Sequence, residues 1–294
     1  MRTVVIDKKD VSITFENSAI KVEQQSIPFK FIDLLLLNHR ITLTTNDILK
    51  LTKEEISILI VSHANDNLSL ISSANTKNAE IKLAQYQAHT NQLHFAKYFI
   101  SNKIDSHAKQ LLHHGIVIEQ TDEQAQLKDA TSLDEIMGIE GSFARKYFQH
   151  YFTLLPTNMH KSKRSKQPPQ DPVNALLSFW YSLYYNIITV KLMSYGFEPS
   201  LGYLHAPFRT HNALASDILE LFRAEINEAV IHLFKNNILE IEDFSKKGGV
   251  YLKFEGRKKI WSYFIALIDT LKPKLDSEIA NLKGMIYEQK SIDS

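Results

Sequence analysis

The sequence predicts an α+β fold in which a small N-terminal β-rich domain is followed by a larger all-α domain. Apolar and polar residues alternate with a period of two over roughly the first 70 residues, and after about residue 81 the period becomes about 3.6. Between these regions, residues 72–80 are small and polar, which is typical of a linker. We therefore predict a β domain at residues 1–73, a linker at 74–81 and a helical domain at 82–294.

The N-terminal domain contains short segments with the composition of β-strands. Branched and aromatic residues alternate with polar ones from Val11 to Val22, whereas Val4–Ile6 and Ile58–Val61 are continuous apolar runs. A short helix is expected between these strands, near Asn46–Leu51. The pattern predicts a domain built mainly of β structure.

The helical domain begins with about 35 residues that contain no glycine or proline before Gly115, which favours one long helix. A second helix is predicted to begin at Ser132, because Ser132 and Glu135 have the spacing of a capping box. The apolar stripe of that helix comprises Ile136, Met137, Phe143, Ala144, Tyr147, Phe148 and Tyr151. Glu140 lies within this stripe, where a carboxylate is costly to bury.

Residues 174–193 are apolar over about the length that spans a bilayer and carry one charge, Lys191. Polar residues recur there at every fourth position, namely Asn174, Ser178, Ser182 and Asn186. That recurrence favours a buried central helix over a membrane span. We expect this helix to run from about Pro172 to Tyr195 and to end at Gly196.

Three elements complete the helical domain. The next helix has an apolar stripe formed by Leu214, Ile218, Leu221, Phe222, Ile226, Ala229, Val230 and Leu233. Gly248 and Gly249 mark a turn that is followed by Val250–Leu252, which predicts a small hairpin. A final helix is expected at about residues 256–283.

The composition restricts the classes of function. The chain has 294 residues and a formal net charge of +1, so any nucleic-acid binding must use local basic patches. The absence of cysteine excludes disulfides and thiolate metal sites, and it fits a cytoplasmic location, which we expect. The chain contains neither a glycine-rich phosphate loop nor a nucleophilic Ser or Cys motif, so ATP hydrolysis and acyl transfer have little support.

Four side chains predict a site for a hard metal ion. His205 lies in a loop, Asp217 and Glu220 share one face of the following helix, and Glu140 lies in the apolar stripe upstream. One imidazole with carboxylates matches the ligands that Mg²⁺ or Mn²⁺ prefers, and such an ion acts on phosphodiesters. Each residue also has a simpler interpretation: Glu140 could pair with a buried Arg or Lys, and Asp217 and Glu220 could be an exposed acidic pair.

Two basic clusters are candidate phosphate contacts. The first lies in the proline-rich segment 156–172, which is expected to be a mobile loop. The second follows the predicted hairpin. The candidate DNA-binding residues are Lys161, Lys163, Arg164, Lys166, Lys246, Lys247, Arg257 and Lys258. Charge runs of this kind are often only solvated surface, so their role depends on their distance from the metal-type residues.

Five segments resemble the CRISPR-associated adaptation integrases, the "Cas-one" family. They are IEGSFARKYF (139–148), KRSKQPPQDPVNALLSFWYSLYY (163–185), GFEPSLGYLH (196–205), ASDILELFR (215–223) and GGVYLKFEGRKK (248–259). The resemblance extends over essentially the whole chain and is specific because the motifs occur together. One departure is Lys-Ile-Asp-Ser-His at 103–107, where relatives often have Lys-Ile-x-Asn-Gln.

The resemblance implies the roles of individual residues. The metal ligands of the family, a Glu, a His and a further acidic residue, fall on Glu140, His205 and Glu220, which would be both catalytic and metal-binding. The supporting residues would be Asp217, Asn174, Arg145 and Arg223. We expect Glu220 to be exposed, so that its replacement by Ala would leave folding nearly intact.

The resemblance also implies a function and partners. The function is CRISPR spacer acquisition, in which a metal-dependent DNA integrase and endonuclease inserts short duplexes into the repeat array by transesterification. The protein partners are a second copy, in a homodimer formed through the β domain, and a small ferredoxin-like "Cas-two" subunit. The nucleic-acid partners are double-stranded DNA with 3′ overhangs and CRISPR repeat DNA. No membrane partner is expected. Two alternatives are a hydrolytic, structure-selective nuclease for branched DNA and a non-catalytic DNA-binding scaffold.

Overall fold

The computed structural model describes residues 3–8, 11–16, 18–38, 41–61, 68–73, 79–207 and 211–292. The α+β class is confirmed, with β-strands in the N-terminal part and mainly helices thereafter. Two compact units are present, Met1–Lys77 with Ile265–Lys274, and Asn78–Phe264 with Leu275–Ser294. The predicted linker 74–81 lies largely outside the described residues, and residues 79–81 begin a helix.

The first unit contains two sheets. Its elements are β1 (Thr3–Ile6), β2 (Ile13–Phe15), β3 (Ala19–Val22), β4 (Gln25–Pro28), β5 (Leu34–Leu37), α1 (Thr45–Lys53), β6 (Ser57–Val61) and β7 (Leu68–Ile71). One sheet has the order β1-β5-β6-β7, with β1, β5 and β6 parallel and β7 antiparallel to β6. The other is the antiparallel sheet β2-β3-β4. Ile6, Ile20, Leu35 and Ile58 belong to one buried core that joins the two sheets.

The predicted strands at Val4–Ile6 and Ile58–Val61 and the predicted helix near Asn46–Leu51 are confirmed. Helix α1 begins where Thr44 and Asp47 form a capping box. Strand β5 was not predicted, because its four consecutive leucines lack the β-branched residues that marked Val4–Ile6 and Ile58–Val61 as strands. All four are buried, as expected for a central strand that is covered on both faces.

The second unit is mainly helical. Its elements are α2 (Ala79–Ala88), α3 (Gln92–His113), α4 (Thr121–Asp129), α5 (Leu133–Thr153), α6 (Pro172–Ser194), α7 (Ala213–Glu220), α8 (Arg223–Lys235), the hairpin strands β8 (Phe244–Lys246) and β9 (Val250–Leu252), and α9 (Phe254–Ile292). Residues 265–274 of α9 belong to the first unit. The predicted hairpin is confirmed by the antiparallel pairing of β8 with β9.

Local hydrogen bonds explain where α5 and α6 begin. The Ser132 side chain accepts the N–H of Glu135 at 3.2 Å and caps α5. Asp171 caps α6 by accepting the N–H of Asn174 at 2.8 Å, and Pro172 occupies the first helical turn. Helix α6 is the buried central helix that the sequence predicted, and it ends before Gly196, which has a φ of 89°.

Three helical predictions were wrong in detail. The long helix after residue 81 is divided into α2 and α3 by a 3₁₀ turn at His89–Asn91. The helix expected across residues 214–233 is broken between Glu220 and Arg223, which separates α7 from α8. Met137 was assigned to a core-facing stripe but is 41% exposed.

Among the described residues, none of the helices combines the length and the apolar character that a membrane crossing requires.

Candidate functional site

A cavity of about 540 Å³ in the helical unit brings together residues that are far apart in sequence. Its walls come from α3, α5, α6, α7 and α8 and from the loops that precede α6 and α7. The predicted site residues that line it are Glu140, His205, Glu220, Arg145, Arg223, Lys163, Arg164 and Lys166. The structure therefore groups the three predicted metal ligands with basic side chains in one cavity.

Asp217 holds the loop that carries His205. Its carboxylate is fully buried and accepts the backbone N–H groups of Tyr203 at 2.6 Å, Leu204 at 3.1 Å and His205 at 3.0 Å. The Nδ1 atom of His205 lies 2.7 Å from Oδ1 of Asp217. A carboxylate accepts and does not donate, so Nδ1 carries a proton, and in the neutral imidazole Nε2 keeps its lone pair. Asp217 thus orients His205 as the carboxylate partner of a metal-binding histidine does.

Two further residues fix the course of this loop. A side chain at Gly202 would place a Cβ 2.8 Å from the Cβ of Ala213, so only glycine permits so close an approach to α7. Gln85 on α2 is buried and donates to the carbonyls of Glu198 at 3.0 Å and Leu201 at 2.9 Å. Its own carbonyl accepts the N–H of Glu198 at 2.9 Å. The position of His205 therefore depends on contacts from two helices.

Glu220 is buried, with 4% of its surface exposed, so the expectation of an exposed carboxylate was wrong. It is the last residue of α7, and Arg223 begins α8 three residues later. The Nε atom of Arg223 donates to Oε2 of Glu220 at 2.7 Å, and its guanidinium lies 4.4 Å from the ring centroid of Tyr181. The break between the helices places this ion pair in the cavity wall.

Lys103 joins the two carboxylates that the sequence assigned to the metal. Its ammonium contacts Oε1 of Glu140 and lies 2.6 Å from Oε2 of Glu220, and its side chain is 8% exposed. Glu140 is therefore paired with a buried lysine, which was the simpler interpretation of its position. The cavity lining thus contains two cations, Lys103 and Arg223, that balance the two anions Glu140 and Glu220.

These charges shift each other's pKa values. Burial alone would raise the pKa of Glu220, but Arg223 and Lys103 outweigh it and hold that pKa well below its usual range. Burial alone would lower the pKa of Lys103, but Glu220 and Glu140 outweigh it, so that pKa is raised. Glu220 is therefore ionised and Lys103 is protonated at neutral pH.

The sequence prediction missed Lys103. It lies on the buried face of α3, which also includes Phe99, Ile100, Ile104 and His107. Lys103 and Glu140 have the same kind of position: each is a charged residue within the apolar stripe of its own helix, α3 and α5 respectively. A search for opposite charges buried on two predicted helices would have found the pair.

A buried polar network supports the cavity floor behind Lys103. His107 Nδ1 lies 2.8 Å from the carbonyl oxygen of Lys103, and Nδ2 of Asn227 lies 3.5 Å from His107 Nε2 and 2.8 Å from the Tyr147 hydroxyl. The Tyr181 hydroxyl donates to the side-chain carbonyl of Asn227. Burial and the charge of Lys103 lower the pKa of His107 to about 3, so this imidazole is neutral.

The basic loop was expected to be mobile, but the structure holds it by hydrogen bonds to Asn174. The carbonyl oxygen of this buried side chain accepts from the Arg164 guanidinium at 2.8 Å and from the Ser165 N–H at 3.0 Å. Its amide nitrogen donates to the Lys163 carbonyl at 2.8 Å and to Asp171 at 2.7 Å. Asn174 is thus a structural support outside the cavity lining, whereas Lys163 and Lys166 are exposed at its rim.

The two basic clusters lie side by side. The N–H of Val250 in β9 donates to the carbonyl of Pro169 at 2.8 Å, so the hairpin packs on the basic loop. Lys246 and Lys247 are exposed next to this contact. The remaining predicted contacts are Lys161, which is exposed, Arg257, which donates to the Leu252 carbonyl at 3.2 Å, and Lys258, which pairs with Glu255 at 3.2 Å. None of these four lysines or Arg257 lines the cavity, and their DNA-binding role stays a prediction.

The donor set fits a hard divalent cation. Glu140 and Glu220 already share one cation, the Lys103 ammonium, and His205 keeps a nitrogen lone pair. Within the described ranges, no three His, Asp or Glu side chains are grouped closely enough to hold an ion as they stand. The residues present suit Mg²⁺ or Mn²⁺ if the ammonium leaves its position between the carboxylates.

Comparisons with known proteins agree with this architecture. A curated relative from Thermodesulfovibrio yellowstonii, CRISPR-associated endonuclease Cas1 1, is 28% identical over 317 residues and covers 100% of both chains. A CAS1 protein from Thermotoga maritima has the same fold, with a TM-score of 0.89 at 19% identity over 98% of this chain and 97% of that one. A chain of a Cas6-RT-Cas1–Cas2 complex matches with a TM-score of 0.80 at 25% identity, over 98% of this chain and 35% of that one.

The family model described as CRISPR associated protein Cas1 matches residues 2–265, which is most of the chain. The match includes the cavity, the loop that holds His205 and the basic loop. The resemblance predicted from five short segments is thereby confirmed. The chain belongs to the CRISPR associated protein Cas1 family.

Proposed function

We propose that this protein is a metal-dependent DNA integrase and endonuclease of CRISPR spacer acquisition. Membership of the Cas1 family and the endonuclease name of the full-length relative support an adaptation integrase or endonuclease role. The observation that carries the finer proposal is the grouping of Glu140, His205 and Glu220 in one cavity with basic side chains at its rim. Carboxylates with an imidazole suit Mg²⁺ or Mn²⁺, and cationic side chains suit phosphate.

The proposed reaction is transesterification. A 3′-hydroxyl of the incoming duplex attacks a phosphodiester of the repeat, a new phosphorus–oxygen bond forms, and the 3′-oxygen of the repeat strand leaves. The hydroxyl loses a proton and the leaving oxygen gains one. One phosphorus–oxygen bond to the repeat strand breaks for each one that forms, so the reaction requires no ATP. The divalent ion, when bound, would stabilise charge on the attacked phosphate.

This chain's own residues would hold the proposed metal ligands in place and position the DNA. Asp217 keeps the lone pair of His205 Nε2 available, and Arg223 holds Glu220 in the wall. Lys163, Lys166 and the exposed Arg145 would contact phosphates at the rim. Phosphate contacts of this type tolerate any sequence and weaken with salt.

The proposed assembly is a homodimer formed through the β domain, joined by a small ferredoxin-like partner and loaded with double-stranded DNA that has 3′ overhangs. The neighbour named as part of a Cas6-RT-Cas1–Cas2 complex supports a partner of the Cas2 type for this chain. The target would be CRISPR repeat DNA. A cytoplasmic location belongs to the same proposal, since repeat DNA lies in that compartment.

A strand-transfer assay tests this function. Purified protein with its partner subunit is given a labelled duplex with 3′-hydroxyl overhangs, a supercoiled repeat plasmid and Mn²⁺ or EDTA. We expect covalent joining that EDTA abolishes and that Glu140→Gln and His205→Ala reduce to background. Glu123→Gln is the matched control, because Glu123 is also largely buried and paired with a lysine, Lys146, at 3.0 Å, but lies outside the cavity lining.

The same assay separates the alternatives. Cleavage of branched DNA without joining would favour the hydrolytic nuclease. DNA binding with neither cleavage nor joining, together with no detectable Mn²⁺ binding, would favour the non-catalytic scaffold. Joining by folded Glu140→Gln protein at the wild-type rate would refute the assignment of this carboxylate.

A further inference from the structure

Lys103 occupies the position between the two carboxylates that the proposed function assigns to a metal ion. Its ammonium contacts Glu140 and lies 2.6 Å from Glu220, and its side chain is almost fully buried. Helix α3 fixes its Cα, and the apolar neighbours Ile100 and Ile104 are buried beside it on the same helix. The contact is therefore a built feature of the cavity floor.

The ammonium has a clear electrostatic role before any metal binds. Glu140 and Glu220 come from different helices and both approach one cation, so without a positive charge between them they would repel each other. Arg223 contacts only Glu220 among these two, through Nε at 2.7 Å. The Lys103 ammonium, which pairs with both carboxylates, therefore keeps Glu140 and Glu220 close together.

A divalent ion held by both carboxylates would need the same space. We propose, on the basis of the function proposed above, that Lys103 is a resident counter-ion that keeps Glu140 and Glu220 in place and is displaced when a divalent metal ion binds. The lysine side chain has a flexible stem of four carbons, so its ammonium can turn away while its Cα stays in α3. The cavity of about 540 Å³ that Lys103 lines gives the displaced ammonium room.

The first test measures Mn²⁺ affinity by calorimetry in wild type and in Lys103→Met, which keeps the length of the stem and removes the charge. We expect the Kd of Mn²⁺ to fall by at least about tenfold, because a unit charge so close to the ion weakens its binding constant by more than about tenfold even when partly screened. Lys191→Met is the matched control, since Lys191 is also largely buried and pairs with a carboxylate, Asp276, at 2.8 Å outside the cavity.

The control variant should bind Mn²⁺ as wild type does. The melting temperature of Lys103→Met should fall without metal and recover on addition of Mn²⁺, whereas that of Lys191→Met should not recover. An equal or weaker Mn²⁺ affinity in folded Lys103→Met would overturn the displacement and leave the metal site standing. If neither protein bound Mn²⁺, both this inference and the metal dependence of the proposed function would fail.

The second test uses the wild-type protein and does not depend on a variant that folds. Lysines are reductively methylated with formaldehyde in the presence and absence of Mn²⁺, and the peptide that contains Lys103 is quantified by mass spectrometry. We expect Lys103 to be protected without the ion and to become reactive with it, while the reactivity of Lys191 stays constant. Protection of Lys103 at saturating Mn²⁺ would refute the displacement.

Discussion

His205 and Asp217 form a partly buried hydrogen bond in which the imidazole Nδ1 donates to a carboxylate oxygen at 2.7 Å. The same carboxylate accepts three consecutive backbone N–H groups, those of Tyr203, Leu204 and His205. One side chain on α7 thus sets both the course of the loop and the tautomer of the histidine. This geometry is what a supporting role for Asp217 requires, and the role of Glu220 as a direct ligand stays a prediction.

Asp217→Asn should separate this role from the rest of the fold. An amide cannot accept from all four donors, so we expect the free energy of unfolding to fall by about 1–3 kcal/mol. The Mn²⁺ affinity should fall by roughly 10–100-fold, because the partner that orients the histidine is lost. Urea unfolding and calorimetry measure the two effects, and an unchanged Mn²⁺ affinity would show that Asp217 does not orient His205.

Glu220→Gln should destabilise the protein even before its activity is considered. Glu220 is buried and pairs with Lys103 and Arg223, and removal of one partner from a buried ion pair costs about 3–5 kcal/mol. Glu255→Gln is the control, since Glu255 is exposed and its loss should change stability by less than about 0.5 kcal/mol. Equal stabilities of the two variants in urea would contradict the ion-paired geometry.

The same pair predicts an acid dependence for wild type. The pKa of Glu220 is held below its usual value, so its contribution to stability is complete above the unfolded pKa and is lost as the pH falls towards the folded pKa. Between pH 5 and pH 3, wild type should therefore lose more stability than Glu220→Gln does.

His107→Gln should flatten the pH profile of stability between about pH 3 and pH 6.5. The pKa of His107 is lowered from 6.5 to about 3 by burial first and then by the charge of Lys103, with a smaller contribution from Arg223. Between these values the unfolded chain binds a proton that the folded protein excludes, so stability rises with pH at up to about 1.4 kcal/mol per unit. The glutamine variant lacks this slope. Unfolding midpoints from pH 4 to 7.5 that run parallel in both proteins would disprove it.

Gly249→Ala should loosen the basic surface formed by the hairpin and the loop. A Cβ at Gly249 would lie 2.7 Å from the Cβ of Pro168, so the hairpin must move away and the bond from Val250 to Pro169 must lengthen. We expect weaker duplex binding with a smaller dependence on salt, because Lys246 and Lys247 move away from the loop. Gly284→Ala is the control, since nothing lies within 4 Å of a Cβ there. Equal binding by both variants would argue against a joint basic surface.

The extent of the sequence prediction follows from the range of the interactions concerned. The change of period predicted the two parts of the fold, and the capping-box spacing of Ser132 and Glu135 predicted the start of α5, because these signals are local. The leucines of β5 were missed, since a short run of leucines has no β-branched residue and fits a buried helix as well as a strand. The break before Arg223 was missed because an apolar stripe runs through it.

The candidate site likewise has one part that the sequence predicted and one part that it did not. Glu140, His205 and Glu220 were predicted, and the structure brings them to one cavity. Their metal-binding role stays a prediction. The burial of Glu220 was predicted wrongly because its partner Lys103 is distant in sequence, on α3. Pairing of this kind depends on which helix faces pack together, and a single sequence does not encode that locally.

The hydrogen bonds of Asn174 have a further consequence for nucleic-acid binding. Because this side chain already holds the backbone of Lys163 and Ser165 and the guanidinium of Arg164, the basic loop has little conformational entropy left to lose when DNA arrives. Binding to this surface should then be driven mainly by the release of counterions from the DNA and should show only a small heat-capacity change. If the loop binds phosphates as proposed, its affinity should be set by charge and not by folding around the ligand.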